Sequence, residues 1–250
     1  MRKDEFTVGD YVHVYNRGNR KMAIVNDEAD RWRFLDILRY FNNEGYSAKA
    51  IQELFYLKKT GECESFKWPA KWQVQKPLVE IIAYCLMPNH YHLLLREIRA
   101  GGVSAFMQKL GVGFTNYVNA KYDESGKVFQ GSYKAKLIGS EEYLQYVDAY
   151  IHVLNPFELF DGGFDAAMEN FDKAFQFALD YQFCGLGEAL GSRNFSIIDR
   201  GEMKDKFPGT EIYKTFAYDA LLNHSNDDLL PLAMIDMPGE APAHTDSWKS

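Results

Sequence analysis

The chain has 250 residues, 46% of them apolar and 15% aromatic, which is ample material for a folded core. No charge-free apolar run approaches the roughly 20 residues of a membrane span, and the opening "MRKDEFTVGD" lacks the apolar core of a secretory signal, so no membrane role and a cytoplasmic location are expected. Cys63, Cys85 and Cys184 are far apart and show no CxxC spacing, which argues against a disulfide framework or a structural zinc and for ordinary reduced thiols. The net charge of -7 hides an asymmetry. Residues 1–136 carry 21 Lys and Arg against 15 Asp and Glu, whereas residues 137–250 carry 7 against 20. A surface for a polyanion therefore belongs in the first half, although solvated surface charge gives the same count.

In chain order, "DYVHVYN" alternates like a strand and ends at the glycine turn "RGNR". From Asp27, "DEADRWRFLDILRYFN" opens with acidic residues and places Trp32, Leu35 and Leu38 at helical steps. Residues 43–77 read as an insertion, with a helix in "SAKAIQELFYLKK" and then an irregular basic and aromatic stretch whose Trp68 and Trp72 either stack unpaired bases or cap the core. Leu78 to Leu86 and His90 to Arg96 read as strands joined by a "MPN" turn, because Pro88 cannot donate to a ladder. A helix over "GGVSAFMQKLGVGFTNYVNAKY", a short basic strand after "GKVFQGSY" and a helix from Ser140 to about Pro156 follow.

This order predicts an α+β fold, a ferredoxin-like split βαβ sandwich with a central antiparallel sheet covered by helices on one face. Residues 1–156 form the expected catalytic domain, 157–235 an acidic helical extension, and 236–250 a disordered tail.

The stretch "YCLMPNHYHLLLR" asks why a buried strand holds two imidazoles. Residues i and i+2 of a strand share a face, so His90 and His92 present neighbouring rings to one point. Such a pair either ligates a metal or fills a hydrogen-bonded structural role, and a metal needs a third ligand from another element.

Four words in order, "YVHVYNRGNRKMAIV", "YCLMPNHYHLLL", "GKVFQGSYKAKLI" and "YIHVLNP", resemble the REP-associated tyrosine transposases, a branch of the single-tyrosine HUH transposases. The likeness spans roughly residues 6–160. It implies a strand transferase for single-stranded, hairpin-bearing DNA, in which His90 and His92 bind Mg²⁺ or Mn²⁺ and Tyr150 is the nucleophile, forming a covalent 5′-phosphotyrosine. It further implies DNA contacts from Asn16, Arg17, Gly18 and Arg20 and from Lys134 and Lys136, with Phe129, Gln130 and Tyr133 in the same motif. Tyr146 is the fallback nucleophile. The REP-associated branch points to a monomer, while other single-tyrosine transposases include dimers.

Two departures stand out. The family's third metal ligand is an amide four residues after the tyrosine, where this chain has Leu154; the amide, Asn155, comes at five. A π-bulge would realign it, Asn155 would otherwise cap a turn, and His152 is a weak substitute ligand. Ser132 stands where the family often has arginine. The competing reading is a domesticated hairpin-binding or single-stranded-DNA-binding protein without strand transfer, and a metal-dependent hydrolase using water is a third.

Overall fold

A computed structural model describes residues 6–45, 48–201 and 209–224. The tail expected over 236–250 lies outside the described residues. Strands β1 (Tyr11–Arg17), β2 (Val79–Leu86), β3 (His90–Glu97) and β4 (Lys134–Leu137) form one antiparallel sheet in the order β2-β3-β1-β4. With α1 (Glu28–Phe41) between β1 and β2, and α3 (Gly102–Tyr122) between β3 and β4, the connectivity is the expected α+β split βαβ.

Alternation in the strands sorts residues onto two faces. Val12, Val14, Tyr91, Leu93 and Leu95 join Phe34 and Phe114 in one core beneath α1 and α3. The two helices approach closely at Gly113, where a Cβ would come 2.3 Å from the Phe41 ring. Helix α1 begins where its sequence predicts: Asp27 caps it, its carboxylate accepting from Asp30 N–H at 2.9 Å.

The expectation of helices on one face only is corrected by the structure. Leu94, Cys85 and Ile82, on the opposite face, pack under a second apolar cluster built from α4 (Glu141–Ala149), a π-helical turn (Tyr150–Leu154), α5 (Asn155–Phe157), α6 (Gly163–Glu169), α7 (Phe171–Asp180), α8 (Leu186–Ala189) and α9 (Thr210–His224). The physical reason lies in β2, whose run "VEIIAYCL" is apolar almost throughout and buries both faces. The helices after residue 156 are the cover that such a strand requires.

The segment 43–77, expected to be an insertion, contains α2 (Ala48–Lys59). Trp68 and Trp72 meet edge to face at 5.1 Å, each lies 6.2 Å from the Tyr40 ring, and their indole N–H groups donate to Gln73 O and Glu53 Oε2. This is the core-capping arrangement of the two alternatives. All three cysteines are free and buried. Among the described residues no helix is long and apolar enough to cross a membrane.

Candidate functional site

The upper sheet face concentrates the polar residues. Register pairs Tyr15 with His92 and Arg17 with His90 across β1 and β3, and Tyr15 with Lys134 and His13 with Lys136 across β1 and β4. Directly paired residues share a face, so His13, Tyr15, Arg17, His90, His92, Lys134 and Lys136 all project to one side. Lys134 Nζ sits 5.5 Å above the Tyr15 ring. Asn16 belongs to the other side: its Nδ2 donates to Gly131 O at 3.1 Å and its Oδ1 accepts from Arg17 N–H, which ties β1 to the turn before β4. Phe129 is buried in the lower core. Arg20 is exposed, held at a left-handed φ of 53° in the turn after β1.

Tyr150 closes this face from above. Its ring centroid lies 5.3 Å from His92 and 6.1 Å from His13, edge-on to both. Tyr146 stacks on Tyr143 instead, at 6.3 Å. Burial pushes the Tyr150 phenol well above its ordinary range, and the Glu158 carboxylate acts in the same direction. Glu158 is itself pushed up to about 7 by burial, with Arg17 opposing.

His13 is the site residue that motif reading misses. Its Nε2 shares a 2.9 Å hydrogen bond with His92 Nδ1, and the rings stack at 5.1 Å. Both are neutral: burial, with Lys136 adding to it, lowers His13 to about 3, and burial together with the neighbouring His13 and His90 lowers His92 well below its ordinary value. A neutral imidazole whose Nδ1 is engaged keeps Nε2 for a metal. His90 is treated alike, its Nδ1–H donating to Asn89 Oδ1 at 2.7 Å.

The helix after Tyr150 resolves the spacing of Asn155. The Asn155 N–H donates to Tyr150 O in an i→i+5 bond, and its Nδ2 donates to the same carbonyl at 2.9 Å. A π-turn inserts one residue, so the fifth position takes the azimuth that the fourth holds in an α-helix. Asn155 Oδ1 is buried and has no hydrogen-bond partner among the described residues. His152 does not join the histidine pair; its Nδ1 lies 3.3 Å from the Tyr213 hydroxyl and 3.4 Å from Asp148 Oδ1, in a separate buried network. Among the described residues no three His, Cys, Asp or Glu side chains gather closely enough to hold a metal by themselves.

Residues 66–153 match the family model for IS200-like transposases. A solved structure of the REP-associated tyrosine transposase bound to a REP hairpin is similar at 14% identity, covering 78% of this chain and 88% of that one with a TM-score of 0.44. No curated protein matches the chain. The likeness to the IS200-like transposases is therefore shown over residues 66–153, the segment that carries His90, His92 and Tyr150.

Proposed function

We propose that this protein is a strand transferase for single-stranded, hairpin-bearing DNA, with Tyr150 as nucleophile. The phenol oxygen attacks a backbone phosphorus, the bond to the 3′-oxygen breaks, and the products are a 5′-phosphotyrosine and a free 3′-hydroxyl. The ester keeps the bond energy, so the reverse attack by a 3′-hydroxyl rejoins DNA without an external energy source. The observation that carries this reading is the packing of the Tyr150 ring against His92 and His13 on a sheet face that also holds Arg17, Lys134 and Lys136.

The residues fit a divalent ion, Mg²⁺ or Mn²⁺: the same-face imidazoles of His90 and His92, the latter held neutral by burial, and the Oδ1 of Asn155, without a hydrogen-bond partner among the described residues, would make a mixed nitrogen and oxygen donor set. Bound there by His90, His92 and Asn155, the ion would polarise the scissile phosphodiester and stabilise charge on its oxygens. His13 and Asn89 hold the two imidazoles in orientation. Burial raises the Tyr150 phenol further above its ordinary range, so its attack on phosphorus requires that its proton be given up as the new bond forms. Arg17, Lys134 and Lys136 supply positive charge for the phosphate backbone, and Arg20 presents a further cation from an exposed turn. Asn16 contributes from below by fixing the turn at Gly131.

We read residues 1–156 as the catalytic unit, with 43–77 an insertion, and the helices beyond as an extension of it. Tyr150 packs on His13 and His92 of its own chain, the arrangement that action as a monomer requires. A covalent-adduct gel tests the reading, using a labelled hairpin oligonucleotide and Mn²⁺ with wild type, Tyr150→Phe and His90→Ala. A slow band present in wild type and lost in both variants is the expected result. Hairpin binding without any adduct leaves a DNA-binding protein and overturns the enzyme.

A further inference from the structure

The C-terminal segment meets the tyrosine helix at one buried polar point. Asp148, two residues before Tyr150, has no exposed surface, and its Oδ2 accepts from Arg200 Nη2 and from the Tyr213 hydroxyl, both at 2.9 Å. His152, two residues after Tyr150 and equally buried, adds its Nδ1 to the same group. The backbone at Cys184 and Gly185 presses on this point too. Cys184 Sγ lies 3.4 Å from His152 O, and a Cβ on Gly185 would come within 2.8 Å of His152 Nε2, so only glycine fits there.

A carboxylate out of reach of water is tolerated only when it is paired and hydrogen-bonded. Burial pushes the Asp148 carboxyl up, but Arg200, His152 and Tyr213 outweigh it and hold it below its ordinary value, so it stays charged. Both donors to Oδ2 come from beyond residue 156. Immediately after Asp148 the helix takes its π-turn, a conformation that the backbone does not favour by itself and that persists where surroundings over-determine it. Asp148, Tyr150 and His152 thus lie on one short segment whose rotation is pinned from outside the α/β unit.

We infer that Arg200 and Tyr213 are positioning residues for Tyr150: through Asp148 they fix the rotation and π-register of its helix, so the C-terminal segment sets the rate of strand transfer without touching DNA. This rests on the strand-transfer reading above. It also gives the acidic third of the chain a role other than DNA contact.

Arg200→Met strands a buried carboxylate and risks unfolding, so Tyr213→Phe and the conservative Arg200→Lys carry the test in the full chain. Three quantities are read for each: affinity for a labelled hairpin oligonucleotide, the single-turnover rate of adduct formation at saturating Mn²⁺, and amide hydrogen exchange over residues 149–157. Tyr213→Phe is expected to leave hairpin affinity within about twofold, to slow adduct formation about tenfold, as for loss of one hydrogen bond to a charged group, and to speed exchange in the π-turn. Arg200→Lys keeps a positive charge beside Asp148 and should slow adduct formation by less than about tenfold. Unchanged exchange over 149–157 overturns the clamp whatever the adduct shows, and so does a loss of rate that merely follows hairpin affinity or folded fraction. A wild-type protein that forms no adduct overturns strand transfer itself, which the exchange measurement does not depend on.

Discussion

The two faces of the sheet are made by alternate residues of the same strands, yet they have different duties. Below, Val12, Val14, Tyr91, Leu93 and Leu95 are buried against α1 and α3 in an apolar core. Above, His13, Tyr15, Arg17, His90 and His92 share the opposite face, and His13 and His92 meet Tyr150. Because the side-chain period of a strand is two, a one-residue slip in register would exchange these sets entirely. The lower face therefore does more than stabilise the fold: it locks the register that aligns the upper one. The upper face in turn gives up hydrophobic burial to keep two neutral imidazoles in place.

The sharpest separation comes from removing the nucleophile. Tyr150→Phe should lower adduct formation by more than about 10⁴-fold, as loss of a covalent nucleophile does, while hairpin affinity and thermal midpoint hold. Single-turnover gels and a binding titration check both halves; retained adduct would point to another tyrosine. Leu93→Ala cuts the other face. With no exposed surface at that side chain, the truncation should cost about 2–5 kcal/mol in denaturant unfolding. The folded fraction should keep its rate unless register has moved, and a rate falling faster than the folded fraction would show that the faces are not separable.

Much of this contrast is legible in the amino-acid sequence, because it rests on period and local chemistry. The same-face placement of His90 and His92 needs only the strand, and the α1 start needs only Asp27 and the apolar steps that follow. His13 is harder. Its partner His92 lies 79 residues away, and the two meet only once β1 and β3 pair in register; the local hint is a histidine alternating with Tyr15 and Arg17. The azimuth of Asn155 depends on a π-turn held by tertiary contacts, and the five-residue spacing to Tyr150 is its one local trace. The second helical layer does have a local signal, the nearly unbroken apolar run of β2, which demands cover on both faces.

His13→Phe probes the upper face without touching a proposed ligand. The substitution keeps an aromatic ring, but His92 Nδ1 loses its partner, so Mn²⁺ affinity should fall about 10- to 100-fold by calorimetric titration, as for other residues that orient a ligand from behind. An unchanged affinity would mean that His92 needs no such support, or that the ion binds elsewhere.

The smallest effect belongs to the polar knot beside the lower core. Asp27 caps α1, and Asp30 accepts hydrogen bonds from the Tyr117 and Tyr122 hydroxyls and from Lys121. Asp27→Ala should cost about 1 kcal/mol, the usual worth of an N-cap, because its ion pair with Lys121 is half exposed and adds little. In a chain of this size that is a fall of about 2–4 °C in thermal midpoint. Burial alone would raise the Asp30 carboxyl, but its donors prevail and hold it below the ordinary value. The native state then binds fewer protons than the unfolded chain near and below about pH 4, so this contribution is present at neutral pH and is lost on acidification. An Asp30→Asn variant should show a shallower acid limb, with adduct formation per folded molecule unchanged at neutral pH. A variant whose chemistry changed with its acid limb would join the two faces through α1.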